Sequence, residues 1–166
     1  MIITTLFKSN HLKISVLLTN KLTNMTNTNK PSILFWIIGV IALIWNGLGV
    51  MAYIGQAYMT DEVLSQLPQG EQDFYNNIPA WVTAAFAISV FAGLFGSLGL
   101  LLRKKWASPL FLLSLLAVLA QQAYNFFMQD YIELTGSRMI MPAVVLIVCV
   151  FLVLFTNAQK QKGVLT

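Results

Sequence analysis

The chain has 166 residues, of which 57% are hydrophobic and only 10% charged, with a mean hydropathy of +0.72. A soluble domain carries about 25% charged residues to solvate its surface, so composition excludes a water-soluble fold and predicts an all-α integral membrane protein. The formal net charge of +4 is to be judged by where the cations sit relative to the bilayer; a nucleic-acid partner is not expected.

Residues 1–30 differ in composition from the rest of the chain, being rich in Asn, Thr, Lys, Ile and Leu. Their longest apolar run, Ile14 to Leu18, is interrupted by Ser15 and is followed by no small-residue cleavage site, which argues against a secretory signal. Asn, Thr and β-branched residues are poor helix formers, so a disordered cytoplasmic extension is expected. A start at Met25 is the alternative; it would leave a short leader carrying Lys30.

Four segments are apolar and long enough to cross about 30 Å of hydrocarbon at roughly 1.5 Å per residue. The first is predicted over residues 33–54 and places Gly39, Ala42, Asn46, Gly49 and Tyr53 at heptad-like intervals. Trp45 lies in its middle and reads as a packing or lipid-facing residue. The next loop, Gly55 to Pro79, is too polar to cross. Thr60 before Asp61 and Glu62 has the pattern of a helix N-cap, and Pro68 with Gly70 is expected to end the short helix begun there. Two readings of this loop stay open, an interfacial helix or a lid over a central cavity.

The second span is predicted over residues 80–102. At about 100° per residue, Ala85, Ser89, Ala92, Gly93, Gly96, Ser97 and Gly99 share one face, with Phe91, Leu94, Phe95, Leu98 and Leu102 opposite. Small residues let helix backbones approach where lipid removes the hydrophobic drive, so this is the predicted helix-packing face. Arg103, Lys104 and Lys105 then lead into a third span over residues 107–128, which repeats the heptad-like spacing with Ser114, Ala117, Gln121, Asn125 and Met128. The fourth span, over residues 139–156, is the shortest and must stand nearly upright or recruit flanking residues to span. Residues 31–158 thus form a four-helix transmembrane bundle, and 159–166 a cytoplasmic tail.

Nine of the ten Lys and Arg residues precede span one, join spans two and three, or come after span four; Arg138 is the exception. The Gly55 to Pro79 loop holds Asp61, Glu62, Glu71 and Asp73 without a cation. The positive-inside rule therefore puts both termini in the cytoplasm, with Arg103, Lys104 and Lys105 as topology determinants.

Counted from the outer ends, Asn46, Ser89 and Gln121 lie at similar depth, with Asn125 one turn further out. This polar layer has two readings. It holds helices together through interhelical hydrogen bonds, or it binds a neutral, hydroxyl-rich solute, since amides both donate and accept. No acid accompanies it, so a proton relay is not expected. Short matches between the openings of spans one and three (Ser32-Ile33-Leu34-Phe35, Ser108-Pro109-Leu110-Phe111) and of spans two and four (Pro79-Ala80-Trp81-Val82, Pro142-Ala143-Val144-Val145) fit a parallel repeat of two hairpins. With one cysteine, Cys149, and one histidine, His11, neither a disulfide nor a Cys/His metal site can be assembled. No span holds a charge, so no enzyme, cofactor or charged-ring channel is expected.

The runs Trp45-Asn46-Gly47-Leu48-Gly49-Val50-Met51-Ala52-Tyr53, Pro79-Ala80-Trp81-Val82-Thr83-Ala84-Ala85-Phe86-Ala87-Ile88 and Leu101-Leu102-Arg103-Lys104-Lys105-Trp106-Ala107 resemble a family of small bacterial four-helix inner-membrane proteins often labelled "sugar transporter". The resemblance covers roughly residues 32–156 and implies a multi-pass protein of the bacterial inner membrane, without implying catalytic or binding residues. Two roles are expected. One is a non-catalytic membrane module that packs with itself, as a homo-oligomer, or with a membrane partner; the other is a small oligomeric carrier for a neutral polar solute such as a sugar.

Overall fold

The computed structural model describes residues 30–133 and 136–166. The expected N-terminal extension, apart from Lys30, and the alternative start at Met25 lie outside the described residues.

Among the described residues six helices occur in order: α1 (Ile33–Ala57), α2 (Asp61–Ser65), α3 (Gln69–Asn77), α4 (Ala80–Leu101), α5 (Ala107–Phe127) and α6 (Ile140–Gln161), with a 3-10 turn over Gly136–Met139 before α6. Among the described residues, α1, α4, α5 and α6 are long and apolar enough to cross a membrane. The chain is an all-α bundle of four such helices. Each long helix is antiparallel to the next. Residues 103–106 and 162–166 therefore meet at one end, here the basic end, and residues 58–79 and 128–139 at the other, the loop end.

Local sequence sets the boundaries. The Ser32 hydroxyl accepts a hydrogen bond from the Phe35 amide at the start of α1, and Thr60 caps α2 through the Val63 amide. The helix begun at Thr60 ends at Ser65, before Pro68, as the Pro68 and Gly70 pattern predicts, and Pro68 then serves as the N-cap residue of a second short helix, α3. A proline tolerates that position because it needs no amide hydrogen there. Helix α6 takes in flanking residues beyond the expected fourth span: it runs through Asn157, Gln159 and Lys160 to Gln161, 22 residues in all, so it need not stand upright to span.

Packing follows the small residues. The heptad-spaced residues of α1 meet α4: Gly39 lies under Leu101, Asn46 against Gly93, Gly49 under Val90, and the Tyr53 ring edge-on to Phe86 at 5.7 Å. A methyl group on Gly39 would come within 2.6 Å of the Leu101 side chain, and one on Gly99 within 2.6 Å of the Trp106 indole, so a larger residue at either position would displace the side chain packed on it. Helix α4 is the most buried of the four and α6 the least. All seven residues of the predicted packing face are buried. Phe91, Phe95, Leu98 and Leu102 are exposed.

At the basic end Phe35, Leu100, Ala107, Phe111 and Leu152 form a filled core, joined by Val164 and Leu165. Thr156 is fully buried in this half, and its hydroxyl has no hydrogen-bond partner. Residues 163–166 are therefore not a free tail. Helix α4 ends in a Schellman turn, with Lys104 N–H bonded to Gly99 O and Arg103 N–H to Leu100 O; α6 ends in another, with Val164 N–H on Gln159 O and Gly163 N–H on Lys160 O. The second turn has glycine in the left-handed position, but the first has Arg103, at φ 57°. Arg103 is held there by the docked segment: its Nε donates to Val164 O, its own carbonyl accepts from Thr166 N–H, and Lys105 N–H donates to Thr166 O.

At the loop end the two connecting segments pack on each other. The Tyr124 hydroxyl donates to Asn77 O, its ring lies between Phe74 and Trp81, and Arg138 pairs with Glu71 at 3.4 Å. All six acids of the chain, Asp130 and Glu133 included, belong to these segments. Arg138, among the described residues the one cation outside the basic end, thus meets an acid.

Candidate functional site

Asn46 is where three helices converge. Its Nδ2 donates to Ala42 O on its own helix and to Ser97 Oγ of α4, at 2.9 and 3.1 Å. Gly93 makes the notch that admits it, since a methyl group there would collide with Asn46 Oδ1 and lie 3.3 Å from Ser114 Oγ of α5. Ser97 in turn donates to Gly93 O, and Ser114 to Ser89 O. Every small polar residue of this node is spent on a neighbouring backbone or side chain, which lets polar groups sit between membrane helices without an unmade bond.

Towards the loop end the node opens into a cavity of about 390 Å³. Asn46, Ser89 and Gln121, predicted at common depth, all line it, together with Trp45, Ser114, Gln122 and Cys149. Asn125 does not. It lines a separate hollow with Gln129, Asp130 and Glu133 near the end of α5, where its Nδ2 donates to Gln122 Oε1 and its carbonyl accepts from Gln129 Nε2. The heptad spacing that grouped Asn125 with Gln121 carries it past the cavity into the last turn of the helix. Gln122 takes the place assigned to it. It is 9% exposed and next to Gln121, so the cavity is met by two consecutive amides. A heptad stripe admits one residue per position and so passes over such a pair.

Gln121 stands apart from the other polar residues of the wall. It is partly buried and makes no hydrogen bond within the described chain. It lies six residues from the end of α5, about 9 Å along the helix axis. No Asp, Glu, Lys, Arg or His lines the cavity. Among the described residues no three His, Cys, Asp or Glu side chains are placed to hold a metal ion. The remaining wall is apolar: Leu48, Gly49, Ala52, Phe86, Val90, Val118, Met141, Pro142 and Val145.

The loop between α1 and α4 contributes nothing to the cavity wall, so it is not a lid over it. It is held against the end of α5 through Tyr124, and against Tyr131 and Arg138 beyond it. A methyl group on Gly70 would come within 2.7 Å of Tyr131 O, which explains a glycine inside α3. On the same helix burial raises the Tyr75 phenol above its ordinary value of 10.0, with Glu71 adding to the effect. At the far end Arg103, Lys104 and Lys105 form the α4–α5 turn, away from the cavity. The chain matches no known protein family, no curated protein and no solved structure.

Proposed function

We propose that the chain is a non-catalytic membrane module that holds a small uncharged molecule in the loop-end cavity. Gln121 carries this reading: an amide on a membrane-crossing helix faces a cavity and has no partner in the fold, whereas Asn46 donates to Ser97, Ser97 to Gly93 O and Ser114 to Ser89 O. An unmet amide in an apolar setting costs about 1–3 kcal/mol, which a ligand hydroxyl or amide offsets. The wall's lack of charge favours a neutral ligand over an ion.

The accompanying placement is the bacterial inner membrane, with the basic end cytoplasmic. Among the described residues, the gathering of Lys30, Arg103, Lys104, Lys105, Lys160 and Lys162 at one end, with all six acids and only Arg138 at the other, supports that orientation. Cysteines introduced at Asn76 and Gln161 in a Cys149→Ser background should react with an impermeant reagent from opposite sides; reaction of both from outside would reverse it.

The carrier reading is favoured by the cavity lying in the loop-end half of the bundle while the Phe35, Leu100 and Phe111 core fills the other half. A carrier requires a second state with that core parted, and with four spans it also requires further copies to enclose a path. Saturable sugar uptake by reconstituted vesicles, read beside the particle mass in native detergent, separates the two. Binding without uptake supports the module. Uptake that is lost on replacing Asn46 and Gln121 with Leu, while the fold persists, supports the carrier.

A further inference from the structure

The cavity reaches the side of the bundle. Helices α1 and α6 stack at the basic end through Phe35 and Phe155, with ring centroids 6.2 Å apart. Elsewhere α1 packs on α4, and α6 on α5, but α1 and α6 do not pack extensively on each other. Between them lies a gap whose edges are Leu48 and Ala52 of α1 and Met141 of α6. All three line the cavity and are exposed on the outside of the bundle, Leu48 and Met141 each at 63%. Both flanking helices are membrane-crossing, so this side opening faces acyl chains, while the amides of Gln121 and Gln122 lie within.

We propose that the occupant is a neutral amphiphile that enters sideways from the bilayer. Its uncharged hydroxyl or amide head would bond Gln121 and Gln122, and its single chain would pass out between α1 and α6. This rests on the cavity being a binding site. The volume, about 390 Å³, is within the range of small-molecule sites and equals about a dozen water-sized groups. It houses a head and the start of a chain; the rest of the chain stays in lipid. A fatty-acid carboxylate or a phosphodiester would lose its hydration with no cation in the wall to replace it, so both are disfavoured.

Trp45 in the cavity wall is a built-in reporter. The full chain in phosphatidylcholine nanodiscs is titrated with a dibrominated stearoyl monoacylglycerol, with the matching dibrominated fatty acid at pH 8, and with glucose. Saturable quenching by the monoacylglycerol is expected, sensitive to Trp45→Phe. It should be weakened about tenfold by Gln121→Leu, the scale of one lost buried hydrogen bond. Ala52→Phe, a change at an exposed position at the mouth, should weaken it too with the helical content unchanged. Linear quenching that tracks bulk partitioning, or equal binding of the fatty acid, overturns the proposal. Saturable binding of glucose without the monoacylglycerol overturns sideways entry while leaving the neutral-ligand site standing. No saturable change with any of the three, in protein of intact fold, removes both.

Discussion

The two halves of the bundle are built from the same four helices yet solve opposite problems. At the basic end large side chains fill the centre: Phe35, Leu100, Phe111 and Leu165 are each no more than 2% exposed, and Ser108 of α5 bonds Asn157 of α6. At the loop end the same helices leave about 390 Å³ unfilled, edged by amides, with α1 and α6 apart. Close packing is the main source of helix association in lipid, so the first half holds the fold while the second gives up packing energy for space.

The widest test of this contrast is Leu100→Ala. A fully buried leucine in a filled region should cost about 2–5 kcal/mol, whereas Leu48→Ala at the cavity mouth should change thermal stability in detergent very little. Similar losses for the two would mean that the halves are equally packed. Next in size is the notch. Gly93→Leu would force Asn46 out and should destabilise by about 1–3 kcal/mol or more, while Gly47→Leu on α1, where nothing lies within 4 Å of the added group, should be tolerated. Leu94→Ala, on the far side of α4 from the notch, should also fall below Gly93→Leu.

A smaller difference separates two amides. Asn46→Leu should lower stability by about 0.6 kcal/mol for its bond to Ser97, the average for such bonds in membranes, and Gln121→Leu should leave the unliganded protein as stable or more so. Thermal melts of the two variants decide which of them belongs to the fold. At the loop end, the raised Tyr75 phenol means that folding favours its neutral form. That contribution is complete below pH 10 and fades as the pH rises through the higher folded value. Tyr75→Phe should reduce the alkaline loss of α3 protection in hydrogen exchange. Last comes Arg138→Ala. Its pair with Glu71 is solvent-exposed, so the loss should stay within about 1 kcal/mol and shrink further in salt.

The spans are legible because hydropathy over some twenty residues is a summed signal, and the face of α4 because small and bulky residues alternate cleanly around it. Depth counting brings Asn46, Ser89 and Gln121 together correctly, since helices in a bilayer share a common frame. The end of α6 escapes for the converse reason: Asn157 and Gln159 lower the hydropathy, but hydropathy marks where lipid ends rather than where a helix does. Heptad spacing misplaces Asn125 and passes over Gln122 because it describes a straight seam, whereas the cavity is a widening between helices that only their divergence creates. The docking of Val164 and Leu165 has no local signature at all. Two apolar residues after a glycine look like any tail until the surface that receives them exists.

That docking bears on the order in which the protein is assembled. The α4–α5 turn looks like the most local element of the fold, yet its arginine, at a position that helix ends usually give to glycine, is secured by a segment 61 residues further along the chain. A connection that long forms only after the intervening loop has closed. The hairpin of α4 and α5 can therefore come together early on its small-residue face while its turn remains loose, and the turn tightens only when α6 has crossed and delivered Val164 to it. The α4–α5 corner therefore takes its final form only with α6 seated, because the groups that hold Arg103 in the left-handed region, Val164 O and Thr166 N–H, arrive with it.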